Sequence, residues 1–163
     1  MDINMRMATI DDIDKLVKAR FDYLEDDKVE MTFEQRLIIE VNLQQYFSSH
    51  LGTNDFFAVL VEHDDQIISL AFLAISEKPP NEFFPTGKVG TLLNVFTYPE
   101  YRKKGLATNM INTLIKEAKQ QNLSYIELSS SESGKPLYKK FGFEELKPSK
   151  YTEMKLSLLN SSD

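Results

Sequence analysis

Cysteine is absent from all 163 residues. That excludes disulfides, Cys-based zinc sites, thiolate catalysis and any acyl-cysteine intermediate. Histidine is scarce, with His50 and His63 alone, both at helix-end or turn positions. No Ser-His-Asp triad or metal-ligand set can be assembled from them, and no metal is expected. No apolar run approaches the roughly 20 residues needed to cross a bilayer, and Met1-Asp2-Ile3-Asn4 does not open a secretory signal. The expectation is a cytoplasmic protein with no membrane partner. There is no Gly-x-x-x-x-Gly-Lys-Ser/Thr phosphate loop, no three-glycine dinucleotide fingerprint, no internal repeat and no low-complexity tract.

What is present suits one globular domain, residues 1–163: 42% apolar and 27% charged residues, enough chain to bury a full core. The net charge of −6 argues against a general nucleic-acid binder, which carries a basic face. Residues 1–50 hold 11 acidic and 6 basic side chains, a net of −5. Such a surface favours a cationic partner, although a solvated helix face is the simpler account of any single acid.

Periodicity outlines the elements. Ile3 to Ala8 reads as a short strand, and Thr9 caps a helix with the apolar stripe Ile13, Leu16, Val17, Phe21 and Leu24. Thr32 caps a second helix, in which Phe33, Leu37, Val41 and Phe47 recur at nearly helical spacing; both helices are expected to pack on a sheet. Phe56 to Val61 and Ile67 to Ile75 are unbroken apolar runs joined by a turn, a hairpin covered on both faces. A Pro-rich loop, 78–88, precedes a strand from Val89 to Thr97. Leu106 to Ala118 forms a third helix, Tyr125 to Ser129 a strand and Ser133 to Lys140 a short helix. Phe143 to Leu146 and Tyr151 to Leu158 read as closing strands. The order β-α-α-β-β-β-α-β-α-β-β predicts an α/β (α+β mixed) fold in which helices flank a mixed sheet.

The chemistry concentrates between Thr97 and Thr108. A strand ends in a turn carrying Arg102, Lys103 and Lys104, and a helix then begins at Gly105-Leu106-Ala107. A helix start offers N–H groups with no intrahelical partner, and small residues let a phosphate approach them. A tight turn with a solvated basic face would carry the same residues. Downstream, Leu137-Tyr138-Lys139-Lys140-Phe141-Gly142-Phe143 is a short helix ending at glycine and entering the next segment.

Together, Arg102-x-x-Gly105-x-Ala107 and Tyr138-x-x-x-Gly142-Phe143 resemble the GNAT superfamily of N-acetyltransferases, by motif over residues 89–146 and by element order elsewhere. The resemblance implies a three-layer fold with a central mixed, mostly antiparallel sheet, and acetyl-CoA as co-substrate. It implies that Val95, Phe96 and Thr97 hold the pantetheine arm through main-chain groups, as an added strand would be held. The amides of Arg102, Lys103, Lys104, Gly105, Leu106, Ala107 and Thr108 would take the pyrophosphate. Tyr138 would be the general acid that protonates the leaving thiolate; an ordinary phenol, with a pKa of about 10, carries its proton at neutral pH. Where some relatives place an acid, this chain has Asn94, which can orient a water or the amine but is no base. Glu34 and Glu40, on the second helix that lines the acceptor side in that family, are candidates for the base, although solvent-facing positions account for them more simply. Ser131 stands where an asparagine often contacts the cofactor.

The leading reading is direct acetyl transfer to a primary amine of a small molecule or peptide. The alternative is a non-catalytic acyl-CoA-binding sensor or interaction module. Monomer and homodimer are both compatible with the sequence.

Overall fold

In the computed structural model, which describes residues 2–160, contacts divide the chain into two compact units, Met1–Leu128 and Ser129–Asp163. The first unit opens with β1 (Asn4–Met7) and a single 3-10 turn (Ile10–Asp12) that runs into α1 (Ile13–Asp26). There follow α2 (Phe33–His50), β2 (Phe56–His63), β3 (Gln66–Glu77), β4 (Lys88–Thr97), α3 (Leu106–Gln120) and β5 (Tyr125–Glu127). Thr9 and Thr32 start their helices as capping boxes, closed by Asp12 and Gln35 respectively. In each, the threonine and its partner three residues on satisfy two N–H groups that the first turn would leave bare.

The sheet runs in the order β1-β2-β3-β4-β5, antiparallel except for the parallel pair β4 and β5. The β2–β3 hairpin closes on Asp64 and Asp65, both left-handed at φ 49° and 58°. Two such residues make the turn whose twist matches that of the strands. Period-two alternation then splits the apolar residues between two faces. On one, Phe56, Leu60, Phe72 and Phe96 pack with Leu16 and Phe21 of α1 and Phe47 of α2. On the other, α3 crosses β2, β3 and β4 and buries Met110, Ile111 and Leu114 completely. The expected helix–sheet–helix layering is present.

Two expectations are corrected. The stripe read on α2 does not face the sheet: Phe33, Leu37 and Val41 are exposed, and only Phe47 of that set is buried. Ile39 and Leu43 join Phe47 against the core instead, at a strict four-residue step. Because α2 is apolar around most of its circumference, spacing alone does not select its inner face. In the second unit, α4 (Lys135–Lys140) forms, but 143–146 and 151–158 form no strand. Met154, Leu156 and Leu158 are each more than 80% exposed. Alternation makes a strand only where a ladder partner supplies the hydrogen bonds, and the described residues of this unit contain no strand.

One charged cluster ties the first strand to the first helix. The Arg6 guanidinium forks onto Asp12 and Glu62 at 2.8–2.9 Å, and Lys15 reaches Glu62 at 3.5 Å. Hydrogen bonding from Arg6, outweighing the cost of burial, holds the Asp12 carboxyl down at about 2 against an ordinary 3.8. Stability from this pair is therefore complete above pH 4 and disappears as pH falls through 2. Asp12→Asn is expected to lose about 1–2 kcal/mol at pH 7, the modest end because Arg6 is one-third exposed. Denaturant titrations of the two proteins should converge between pH 4 and pH 2; a gap that persists at pH 2 would show that the pair does not carry the difference.

Candidate functional site

The site begins where β4 loses a neighbour. β5 pairs with β4 only at Val89, Gly90 and Thr91, so the rest of β4 has β3 on one side and, among the described residues, no strand on the other. The register with β3 also slips: Leu70 faces Phe96 while Phe72 faces Leu93, leaving Asn94 and Val95 opposite the single residue Ala71. This is a β-bulge, and Asn94 carries it in a left-handed conformation at φ 52°. Past the bulge, the Phe96 carbonyl accepts from the Ser69 hydroxyl and the Tyr98 N–H donates to Ile68, so even-numbered residues face β3. Alternation turns the main-chain groups of Val95 and Thr97 to the open edge. Of the three residues expected to offer that edge, Phe96 is thus directed inward, and its ring lies in the core.

The chain then turns over a 3-10 turn at Pro99–Tyr101 into the start of α3. Lys103 and Gly105 are both left-handed, at φ 61° and 76°. The N–H groups of Lys103, Lys104, Gly105, Leu106, Ala107 and Thr108 have no acceptor among the described residues. Alternating backbone handedness curls such a run of amides into a concave donor surface, at the positive end of the α3 dipole. A Cβ built on Gly105 would meet nothing within 4 Å, so the surface is open at its centre. These amides fit a pyrophosphate, and the edge of Val95 and Thr97 fits an amide-bearing arm: donor-only groups in one place, strand-like groups leading up to it.

Arg102 has a different task from its neighbours. Its Nε donates to the Thr97 carbonyl at 2.8 Å and its Nη2 meets Asp26 of α1 at 2.9 Å, so the side chain staples the loop to the strand end and the helix. Tyr98 adds a second tie by donating to Asp22 at 2.6 Å, and burial, reinforced by that carboxylate, pushes its phenol pKa well up. Lys103 and Lys104 are exposed, Lys104 lying 5.1 Å from the Tyr101 ring centre.

Asn94 is 4% exposed, and its Oδ1 accepts from Arg20 Nη1 at 3.0 Å. Neither Arg20 nor its contact with Asn94 is signalled by a motif. The signal was nonetheless in the helical wheel: Arg20 falls between Val17, Phe21 and Leu24 on the apolar stripe of α1, where a charge has no business unless it is used. Of the acids on α2, Glu34 is exposed and Glu40 half-buried, and neither is hydrogen-bonded to Asn94 among the described residues. Most acids of α1 are already spoken for, since Asp22, Glu25 and Asp26 pair with Lys18, Arg36 and Arg102.

In the second unit, the Ser131 hydroxyl accepts from the Gly134 N–H at 3.2 Å and lies 3.2 Å from that of Ser133, shaping the turn into α4. Tyr138 is half-buried on α4, with its ring edge-on to Phe143 at 5.9 Å. Gly134 sits so close to this ring that an added Cβ would come within 3.4 Å of it.

An open β4 edge that leads into an amide-lined helix start, in this strand order, fits the acetyltransferase class. The chain belongs to the acetyltransferase (GNAT) family, whose family model matches residues 16–143. Among solved structures, it is 34% identical to a predicted acetyltransferase from Clostridium acetobutylicum determined with acetyl-CoA, over 94% of this chain and 96% of that one, with a TM-score of 0.83. A GCN5-related N-acetyltransferase from Ralstonia eutropha JMP134 shares 19% identity over 95% and 99% of the two chains, at a TM-score of 0.76. Glucosamine-6-phosphate N-acetyltransferase from Arabidopsis thaliana shares 19% over 94% and 100%, at 0.67. No curated protein matches the sequence.

Gly105 offers a direct check on the loop. Gly105→Val puts a branched side chain at a left-handed position and into the centre of the donor surface. It should cost about 1–2 kcal/mol of stability and weaken CoA binding at least about tenfold, because the phosphate can no longer reach the amides. Calorimetric titration with CoA reads this; an unchanged Kd would place the phosphates elsewhere.

Proposed function

We propose that the protein transfers the acetyl group of acetyl-CoA directly to a primary amine. The observation that carries this reading is the continuity of two donor surfaces: the open edge of Val95 and Thr97 leads into the unpaired amides of 103–108. The family match extends from the first unit into the second, which supports treating residues 1–163 as one N-acetyltransferase domain.

Acetyl-CoA, when bound, supplies an acyl group activated as a thioester. In this proposal the loop amides and the α3 dipole hold its pyrophosphate, with Lys103 and Lys104 adding positive potential from the rim. Val95 and Thr97 align the arm, while Arg102 keeps the loop and strand end in register through Thr97 and Asp26. Ser131 is assigned a hydroxyl contact to the cofactor, in the place where relatives often carry an asparagine.

Tyr138 is assigned the general acid. The amine nitrogen forms the new C–N bond as the C–S bond breaks; the phenol delivers its proton to the departing sulfur, and the proton that the nitrogen sheds on becoming an amide returns to the phenolate through water. The incoming ammonium must lose a proton first. Asn94 has Arg20 as its hydrogen-bond partner, not a carboxylate, so that proton is assigned to water rather than to a side chain at the bulge.

General-acid catalysis of this kind is worth roughly a hundredfold or more. Tyr138→Phe should therefore lower kcat by about two orders of magnitude while Kd for acetyl-CoA stays within about twofold, since the phenol acts on the breaking bond and not on the phosphates. Thiol release measured against a panel of primary amines tests both parts. Binding of acetyl-CoA without thiol release from any amine would instead favour a sensor module.

A further inference from the structure

We propose that Arg20 and Asn94 form a recognition site for an anionic group, a carboxylate or a phosphate, carried by the acceptor amine. The inference rests on the acetyltransferase reading and adds the chemical class of the acceptor. Its starting point is a buried donor with nothing to donate to: Asn94 Nδ2 is fully enclosed and has no hydrogen-bond partner among the described residues.

The orientation of that amide follows from its neighbour. A guanidinium has five N–H donors and no acceptor, so the carboxamide must turn its oxygen to Arg20 and its nitrogen away. What the pair then presents is donors alone. An unsatisfied buried amide costs about 1–3 kcal/mol, and it is held at a bulge whose left-handed φ is a second cost. Such features persist where they serve a ligand.

Arg20 points the same way. Arg6, Lys15, Lys18, Arg36 and Arg102 of the first unit each meet a carboxylate within 3.5 Å. Arg20 meets none among the described residues, although it is half-buried and burial depresses its pKa. Its other contact is the face of Tyr23, 5.5 Å from the guanidinium carbon, which offsets part of the desolvation without neutralising the charge. A planar fork beside a free amide N–H₂ matches two oxygens that bear negative charge. A purely cationic acceptor would be repelled by the same group. The acidic residues of 1–50 do not change this, because those of α1 nearest in sequence, Asp22, Glu25 and Asp26, are paired.

The location separates this site from the cofactor phosphates. Asn94 lies three residues before Thr97, about 10 Å along the strand, and the loop amides come after the turn that follows. Arg20 reaches the bulge from α1, on the sheet face opposite α3.

The test compares amines matched except for the anion: β-alanine with propylamine, and phosphoethanolamine with ethanolamine, with spermidine as the cationic control. The wild type should use at least one anionic member about tenfold or more better than its neutral twin in kcat/KM, and the better pair identifies carboxylate or phosphate. Arg20→Gln should erase that preference through KM, with Kd for acetyl-CoA unchanged. Asn94→Asp gives Arg20 an internal carboxylate, so it should raise the melting temperature and abolish the preference as well, which guards against a misfolded Arg20 variant. Equal use of neutral and anionic amines by the wild type overturns the proposal and leaves the acetyltransferase reading intact. A uniform fall in kcat for every amine in Arg20→Gln, with KM unchanged, would place the pair at the thioester carbonyl and overturn it too. If no amine releases thiol, side-chain ¹⁵N resonances of Arg20 Nε and Asn94 Nδ2 in CoA-saturated protein still decide. Saturable shifts with β-alanine or phosphoethanolamine, lost in Arg20→Gln, uphold the anion site; no shift with either overturns it.

Discussion

Parallel pairing between β4 and β5 stops after three residues, and the rest of the molecule is arranged around that stop. A strand with one open edge inside a covered sheet is costly, because its N–H and C=O groups lose the partners that a full ladder would supply. Here helices pack on both faces of the strand, and in the proposed function the open edge takes a ligand that pairs as a strand does. Every neighbouring feature extends it. The bulge at Asn94 and Val95 re-aims the backbone, the turn at Pro99–Tyr101 redirects the chain, and α3 starts with its amides unpaired. At the bulge, Arg20 meets Asn94 from the helical layer.

The loop after β4 shows how electrostatics and conformation divide the work. Its three cations look interchangeable by charge, yet Arg102 spends its guanidinium on a carbonyl and on Asp26, fixing the loop's position. Lys103 contributes chiefly its left-handed backbone, and Lys104 lies near an aromatic ring at the surface. In the proposed function, anion recognition therefore falls to the main chain, whose amides are oriented by the left-handed Lys103 and Gly105, while the side chains hold the loop there or add potential. That arrangement suits a pyrophosphate common to all acyl-CoA species. The Arg20–Asn94 pair, made of side chains on two separate elements, is suited to whatever varies between acceptors.

Much of the fold was legible along the chain. Thr9 and Thr32 announced their helices because a capping box is a local device, complete within four residues. The two apolar runs after Asp55 announced a hairpin because strands buried on both faces need no alternation. Arg102 to Ala107 marked the turn into α3, with its unpaired amides, for the same reason: amides, glycine and turn are contiguous. By contrast, the inner face of α2 could not be read, since a helix that is apolar all round offers several stripes and only its neighbours choose Ile39, Leu43 and Phe47. The alternation from Tyr151 to Leu158 predicted a strand, but a ladder requires a second chain segment, and pattern in one segment says nothing about its partner.

What the sequence determined by itself was the set of local motifs, and with them the family, because each motif depends on residues within a turn or two of one another. What only the tertiary structure decided was which distant groups meet. Seventy-four positions separate Arg20 from Asn94 and seventy-six separate Arg102 from Asp26. Sequence order holds no record of such distances. Nor could it show that Phe96 faces inward while Val95 and Thr97 face the open edge, which depends on a single extra residue in the β4 register. Contacts made through space, with a cost in desolvation and strain that only packing can offset, convert a recognisable loop into a site with chemical preferences.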